Sequence, residues 1–262
     1  MEELGLNRRV AIVTGAAGGI GRTVARELAK SGMFVAAFDC DVQGLYQLES
    51  ELKEDGSDVA VFQVDIRNRT EIESVVDQIE AELGPVEVLV NVAGVLRMGN
   101  VNNLTDEDWE QTFAVNSTGV FYLSRSVSRR MIPRRRGSIV TVGSNAASTP
   151  RMAFSAYASS KAAAVMFTKC LGLELAQYNI RCNIVSPGST ETDMLKLLWK
   201  EDERSEDRCI NGVSEDYRLG IPLGKIARPI DIAETVLFLV SDRSSHITMQ
   251  NICIDGGATL GV

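Results

Sequence analysis

Seven short apolar runs alternate with helical patterns along this chain, and that alternation leaves few folds open. Arg9-Val-Ala-Ile-Val-Thr14, Phe34-Val-Ala-Ala-Phe38, residues 59–63 and 86–91, the run from Ser138 to Gly143, residues 181–186 and Asn251-Ile-Cys-Ile-Asp255 each read as a buried strand. Continuous apolar character suits a strand covered on both faces, as strands are in a parallel sheet. Helical patterns lie between them, at 42–54, 70–83, about 105–131, 157–177 and 229–241, and one opens after Gly21 with Val24, Leu28 and Ala29 as its apolar positions. Parallel strands need crossover connections. The expected fold class is therefore α/β: a single doubly wound domain over 1–262, with a seven-stranded parallel sheet and helices on both faces.

Composition narrows what such a domain does. At 45% hydrophobic and 24% charged residues the chain reads as an ordinary globular protein, and a net charge of -8 argues against nucleic acid or an anionic membrane as a general partner. Arg134-Arg135-Arg136 is the local exception, read as a solvated loop or as a docking patch. The start lacks the basic and apolar segments of a signal peptide, and no apolar run approaches the roughly 18 residues needed to span a bilayer. Five scattered cysteines without C-x-x-C spacing fit reduced thiols in a cytoplasmic protein. His246, the sole histidine, leaves no multi-histidine metal site and reads as structural.

Thr14-Gly15-x-x-x-Gly19-Ile20-Gly21 follows the first strand and opens the first helix. Backbone N–H groups and the helix dipole there can receive a pyrophosphate, which makes the domain Rossmann-like, with a cofactor half at about 1–135. Asp39, closing the second strand, is placed to accept hydrogen bonds from the ribose hydroxyls. Its charge repels a 2′-phosphate, so NAD is expected over NADP. Asp65 suits the adenine edge or, alternatively, a helix N-terminus. Asn91-Val-Ala93-Gly94 lets the backbone approach the adenosine ribose.

In the second half, about 136–262, Ser144 ends the apolar run from Ser138, and Tyr157 and Lys161 stand four apart on one helical face. A hydroxyl, a phenol and an ammonium then converge. A free tyrosine has a pKa of about 10, so service as a base near neutrality requires roughly 4 kcal/mol. An ammonium about 4 Å from the phenolate supplies that much at an effective dielectric of about 20. The long polar stretch 189–220 reads as a lid over this site or as a solvated surface helix pair.

Thr14-Gly15…Gly19-Ile20-Gly21, Asn91-x-Ala93-Gly94, Asn116, Ser144, Tyr157-x-x-x-Lys161 and Pro187-Gly188 together resemble the short-chain dehydrogenase/reductase family over essentially the whole chain. Val92 departs from it, replacing a second asparagine. The resemblance implies that Tyr157 is the base, that Ser144 holds the reacting oxygen and that Asn116 holds Lys161 through water. It also assigns Pro187, Gly188 and Thr190 to the cofactor and implies a homotetramer.

A narrower resemblance, to the 2,3-dihydro-2,3-dihydroxybenzoate dehydrogenases of catecholate siderophore synthesis, rests on several further stretches. These are Gly94-Val-Leu-Arg-Met-Gly99, Trp109 to Asn116, Thr149-Pro-Arg151, Arg181 to Met194, Leu219 to Pro229, and Ser245 through Gly257. It implies oxidation of a dihydrodiol carboxylate by NAD. The substrate's carboxylate wants a guanidinium. Arg97 and Arg151 are the candidates, each readable instead as a surface or subunit-contact arginine. Met98 and Met194 read as apolar walls or as core. An enzyme that adenylates the product is a further partner, with no residue here to mark it.

Overall fold

The computed structural model describes residues 4–196 and 206–261. Its strands are β1 (Val10–Thr14), β2 (Phe34–Asp39), β3 (Val59–Gln63), β4 (Val86–Asn91), β5 (Gly137–Val142), β6 (Ile180–Pro187) and β7 (Asn251–Ile254). They form one sheet in the order β3-β2-β1-β4-β5-β6-β7, and every neighbouring pair is parallel. The helices are α1 (Gly19–Lys30), α2 (Val42–Glu54), α3 (Arg69–Glu82), α4 (Asp106–Phe113), α5 (Val120–Arg134), α6 (Ser155–Leu175), α7 (Glu206–Asn211) and α8 (Pro229–Val240).

The period of two along each strand divides the core between the two faces of the sheet. In β1, Ala11 and Val13 pack with Val24 and Leu28 of α1 and with Val236 and Leu239 of α8. Val10 and Ile12 turn the other way, toward Ile72 and Ile79 of α3, Leu123 and Val127 of α5, and Leu171 of α6. Side-chain caps hold the helix starts: Asp41 accepts from Gln43 and Gly44 N–H, Asn68 from Thr70 and Glu71, and Thr105 from Asp108. The expected element boundaries hold to within two or three residues. Chain order reverses beside β1, whose neighbours are β2 and β4. That reversal opens a crevice at the carboxyl ends of the strands, where ligands of such sheets bind.

Two local expectations are corrected. The helix expected at about 105–131 runs instead from Asp106 to Arg134, interrupted by a π segment, Ala114–Gly119. A π turn inserts an extra residue, and here it carries Asn116, whose amide is drawn to the backbone of Val95. The last strand stops at Ile254, because the Asp255 carboxylate accepts from Gly257 and Thr259 N–H and bends the chain away. Part of the expected lid, 197–205, lies outside the described residues. In its first part Thr192 packs against Gly19 and lines the crevice.

Candidate active site

The crevice at the strand ends is a cleft of about 400 Å³. The glycine loop forms its floor. Gly15 has φ +67°, and a Cβ there would come within 2.9 Å of Ala93 Cα; a Cβ on Gly21 would collide with the Gly15 carbonyl oxygen. Only glycine permits this close approach of two backbone segments. Thr14 ties them together, its hydroxyl accepting from Val92 N–H (2.9 Å) and Ala93 N–H (3.0 Å). Asp39 lines the same cleft, with Oδ2 accepting from Ala17 N–H and Oδ1 from Asp41 N–H, both at 3.0 Å. The carboxylate is thus fixed with lone pairs to spare for a diol. Arg22 lies nearby, donating to the Ala17 carbonyl (3.2 Å) and paired with Glu51 (2.6 Å), a carboxylate it shares with Arg26. This floor fits the adenosine and pyrophosphate of a dinucleotide.

Gly19, Ile20, Ala93, Gly94, Pro187, Gly188, Thr190 and Met194 also line the cleft. Three expected contacts are placed elsewhere. Asn91 is buried, and its amide donates to Ser124 Oγ (3.1 Å), so it anchors the end of β4 while residues 92–94 face the cleft. Asp65 is engaged by Arg67 (2.6 Å), which holds its carboxyl below the usual range. Arg97 is largely exposed and ion-paired with Asp108 at 3.6 Å, while Leu96 beside it faces the cleft. Arg151 does line the cleft.

Ser144, Tyr157 and Lys161 converge at the far end. Ser144 caps the 3₁₀ turn Asn145–Ala147, accepting from Ala146 N–H (3.1 Å), and its side chain hydrogen-bonds the Tyr157 phenol. The Tyr157 ring packs edge-on against Phe154, centroids 5.9 Å apart. The Lys161 Nζ donates to the Val142 carbonyl (2.9 Å) and lies 5.9 Å from the centre of the Tyr157 ring. The phenol titrates above its ordinary value: burial raises it, and Ser144 and the charge of Arg151 pull it back. Burial also pushes the Lys161 ammonium down to about 8.

Asn116 stands directly behind, fully buried. It accepts from Val95 N–H and donates to the Val95 carbonyl (both 2.9 Å) and to Ser160 Oγ (3.0 Å). A Cβ on Gly94 would come within 3.3 Å of both Asn116 Oδ1 and Lys161 Nζ, so the three pack as one unit. Asn116 therefore positions the Gly94 loop and α6 through direct bonds.

Sequence reasoning missed Phe154 and Arg218, which both line the cleft. Arg218 reaches it from beyond α7, donating to Ser189 Oγ (2.9 Å). No motif surrounds it; the Val213–Arg218 bridge that turns it inward is a tertiary feature.

The family model described as short chain dehydrogenase matches residues 9–203. The chain belongs to that family. Among the similar proteins is the 2,3-dihydro-2,3-dihydroxybenzoate dehydrogenase of Bacillus subtilis, 58% identical over the whole of both chains. The protein of that name from Escherichia coli is 46% identical, covering 95% of this chain and 96% of its own. A solved structure assigned as an NAD(P)-dependent gluconate 5-dehydrogenase of Beutenbergia cavernae, with NADP at low occupancy, superposes with a TM-score of 0.89. It is 29% identical and covers 98% of this chain and 99% of its own. As a short-chain dehydrogenase this chain is an oxidoreductase using a nicotinamide dinucleotide. Among the described residues no helix is long and apolar enough to cross a membrane.

Proposed function

We propose that this enzyme oxidises 2,3-dihydro-2,3-dihydroxybenzoate to 2,3-dihydroxybenzoate with NAD, as a step of siderophore biosynthesis. The observation that carries the reading is Arg151, a guanidinium without an ion-pair partner among the described residues, in the same cleft as Ser144 and Tyr157. Full-length similarity to the Bacillus subtilis enzyme supports it.

In this reading Ser144 hydrogen-bonds the C3 hydroxyl of the dihydrodiol, and Tyr157 as phenolate takes that hydroxyl's proton. The glycine loop and Asp39 would hold NAD, which when bound would supply the acceptor for the hydride leaving the same carbon. Arg151 favours the phenolate by its charge and draws the substrate carboxylate to the site. Phe154 and Leu96 provide apolar wall for the ring. The resulting ketone tautomerises to a catechol, and aromatisation makes oxidation the favoured direction.

Asp39 supports NAD over NADP, since its fixed carboxylate would repel a 2′-phosphate and Arg22 is committed to Glu51. The five free cysteines support a cytoplasmic location. Exposed apolar side chains on the outer faces of α5 and α6 (Phe121, Met166 and Leu173) support the homotetramer, with these helices at subunit contacts. Transient contact with a product-adenylating enzyme is retained as a partner without a marked surface.

The test is NADH formation at 340 nm with the dihydrodiol carboxylate, with a β-hydroxy thioester and with no substrate. Rapid turnover of the dihydrodiol alone is expected. Preferential turnover of the thioester would overturn the reading in favour of a carbonyl reductase, and dinucleotide binding without turnover would point to a sensor.

A further inference from the structure

We infer that Arg218 and Arg151 form a two-armed clamp for the substrate carboxylate, Arg218 being a specificity-determining residue brought from beyond α7. The inference rests on the dihydrodiol carboxylate reading and names a binding residue within that site.

Both guanidiniums line the cleft that holds Ser144 and Tyr157, and both are half-buried. Neither has an ion-pair partner among the described residues, whereas Arg9, Arg22, Arg67, Arg130 and Arg134 are all paired with carboxylates. The carboxylate acting on Arg151 is that of Asp255, whose oxygens are bonded to its own loop and to Asn145 rather than to Arg151. Oδ1 accepts from Gly257 N–H (2.9 Å); Oδ2 accepts from Thr259 N–H (3.0 Å), Thr259 Oγ1 (2.7 Å) and Asn145 Nδ2 (3.2 Å). Arg218 and Arg151 repel one another: after burial, the Arg218 charge is the strongest influence against protonated Arg151.

Two like charges facing one cleft are unfavourable until an anion joins them. A carboxylate has lone pairs enough to accept from two guanidinium forks at once. Arg218 spends one Nη2 hydrogen on Ser189 Oγ, which aims the fork and leaves its other N–H groups for a ligand. The placement matches the ring. In the dihydrodiol the carboxylate sits on the ring carbon two positions from the oxidised one. Arg151 is near enough to the reacting end to act on the Tyr157 phenol. Arg151 and Arg218 also wall a smaller neighbouring cavity of about 120 Å³ with Thr149 and Tyr217.

The test compares wild type with Arg218→Gln, and with Arg218→Lys, which keeps the charge and loses the fork. Calorimetric binding of benzoate to the NAD-loaded enzyme is measured beside steady-state kinetics on the carboxylate dihydrodiol and on benzene dihydrodiol, which has the ring diol and no carboxylate. For Arg218→Gln we expect benzoate affinity to fall roughly 10- to 100-fold, the range for losing a charge-assisted hydrogen bond. KM for the carboxylate dihydrodiol should rise by a similar factor while kinetics on benzene dihydrodiol change less than about twofold; Arg218→Lys should fall between. Unchanged benzoate affinity, or equal losses on the two diols, overturns the clamp. Failure of wild type to oxidise the carboxylate dihydrodiol overturns the proposed reaction instead, and benzoate binding still decides the clamp.

Discussion

Two groups act on the Tyr157 phenol against its burial, the Ser144 hydroxyl and the Arg151 charge. Tyr157→Phe removes the base and leaves the glycine loop and Asp39 intact. We expect turnover to fall by about 10²- to 10⁴-fold with NAD affinity unchanged, measured by 340 nm assay and NAD titration. Substantial residual rate would remove Tyr157 from the role. Arg151 lowers the phenol's pKa, so Arg151→Gln should move the acid limb of the kcat/KM profile to higher pH. The same variant should weaken the carboxylate dihydrodiol more than a neutral cyclohexenol. Lys161 reports the cost of keeping a charge inside. Its pKa of about 8, against 10.5 when free, corresponds to about 3 kcal/mol of destabilisation at neutral pH. In cofactor-free protein Lys161→Met should therefore raise Tm. Because the folded state sheds this proton first, wild-type stability rises between about pH 8 and 10.5 and the gap to the variant shrinks. A lower Tm for the variant at pH 7 would contradict this account.

At the scale of elements, the site is held by α6, by β5 with the turn after it, and by the π segment before α5. Local spacing made the first two legible: Tyr157 and Lys161 stack because an α-helix repeats every 3.6 residues, and Ser144 follows an unmistakable apolar run. The π segment was not legible, since its extra residue is fixed by what Asn116 bonds to across the fold. Asn116→Ala would leave Val95 N–H, the Val95 carbonyl and Ser160 Oγ without that amide. We expect a loss of about 2–4 kcal/mol in denaturant titration, together with reduced kcat as the Gly94 loop and Lys161 loosen. Unchanged stability would mean that these bonds are replaced by water.

At the scale of the whole molecule, the reversal of strand order beside β1 gathers Gly15, Asp39, Gly94, Ser144 and Gly188 around one cleft, though they are spread over most of the chain. The proposed preference for NAD belongs to this scale because it rests on where the fold holds Asp39, beside the glycine loop. Asp39→Ser should lower kcat/KM for NAD and raise it for NADP. No change in the ratio would show that discrimination lies elsewhere. Assembly belongs here too. The outer face of α6 carries exposed Met166 and Leu173, apolar side chains that the proposed homotetramer would cover. Light scattering should give four times the 28.5 kDa chain mass. A monomer at micromolar concentration would exclude the tetramer.

By itself, the sequence determined whatever rests on short-range periodicity. The strand and helix alternation, the glycine loop at a strand-to-helix junction, Asp39 at a strand end and the Ser144, Tyr157 and Lys161 set all follow from local spacing and residue chemistry. Direction and partnership needed the tertiary structure. Arg97 and Arg151 were equal candidates for a carboxylate in sequence, and the fold separates them: Arg97 is exposed and pairs with Asp108, while Arg151 faces the cleft without a counter-ion among the described residues. Arg218 carries no local signal at all and enters only because residues after α7 fold back on Ser189. Lys161 was legible as a residue but not as a charge, since its bond to Val142 and its burial depend on how α6 packs against β5. Periodicity is written in neighbours along the chain, whereas the charge state and aim of a side chain are set by neighbours across it.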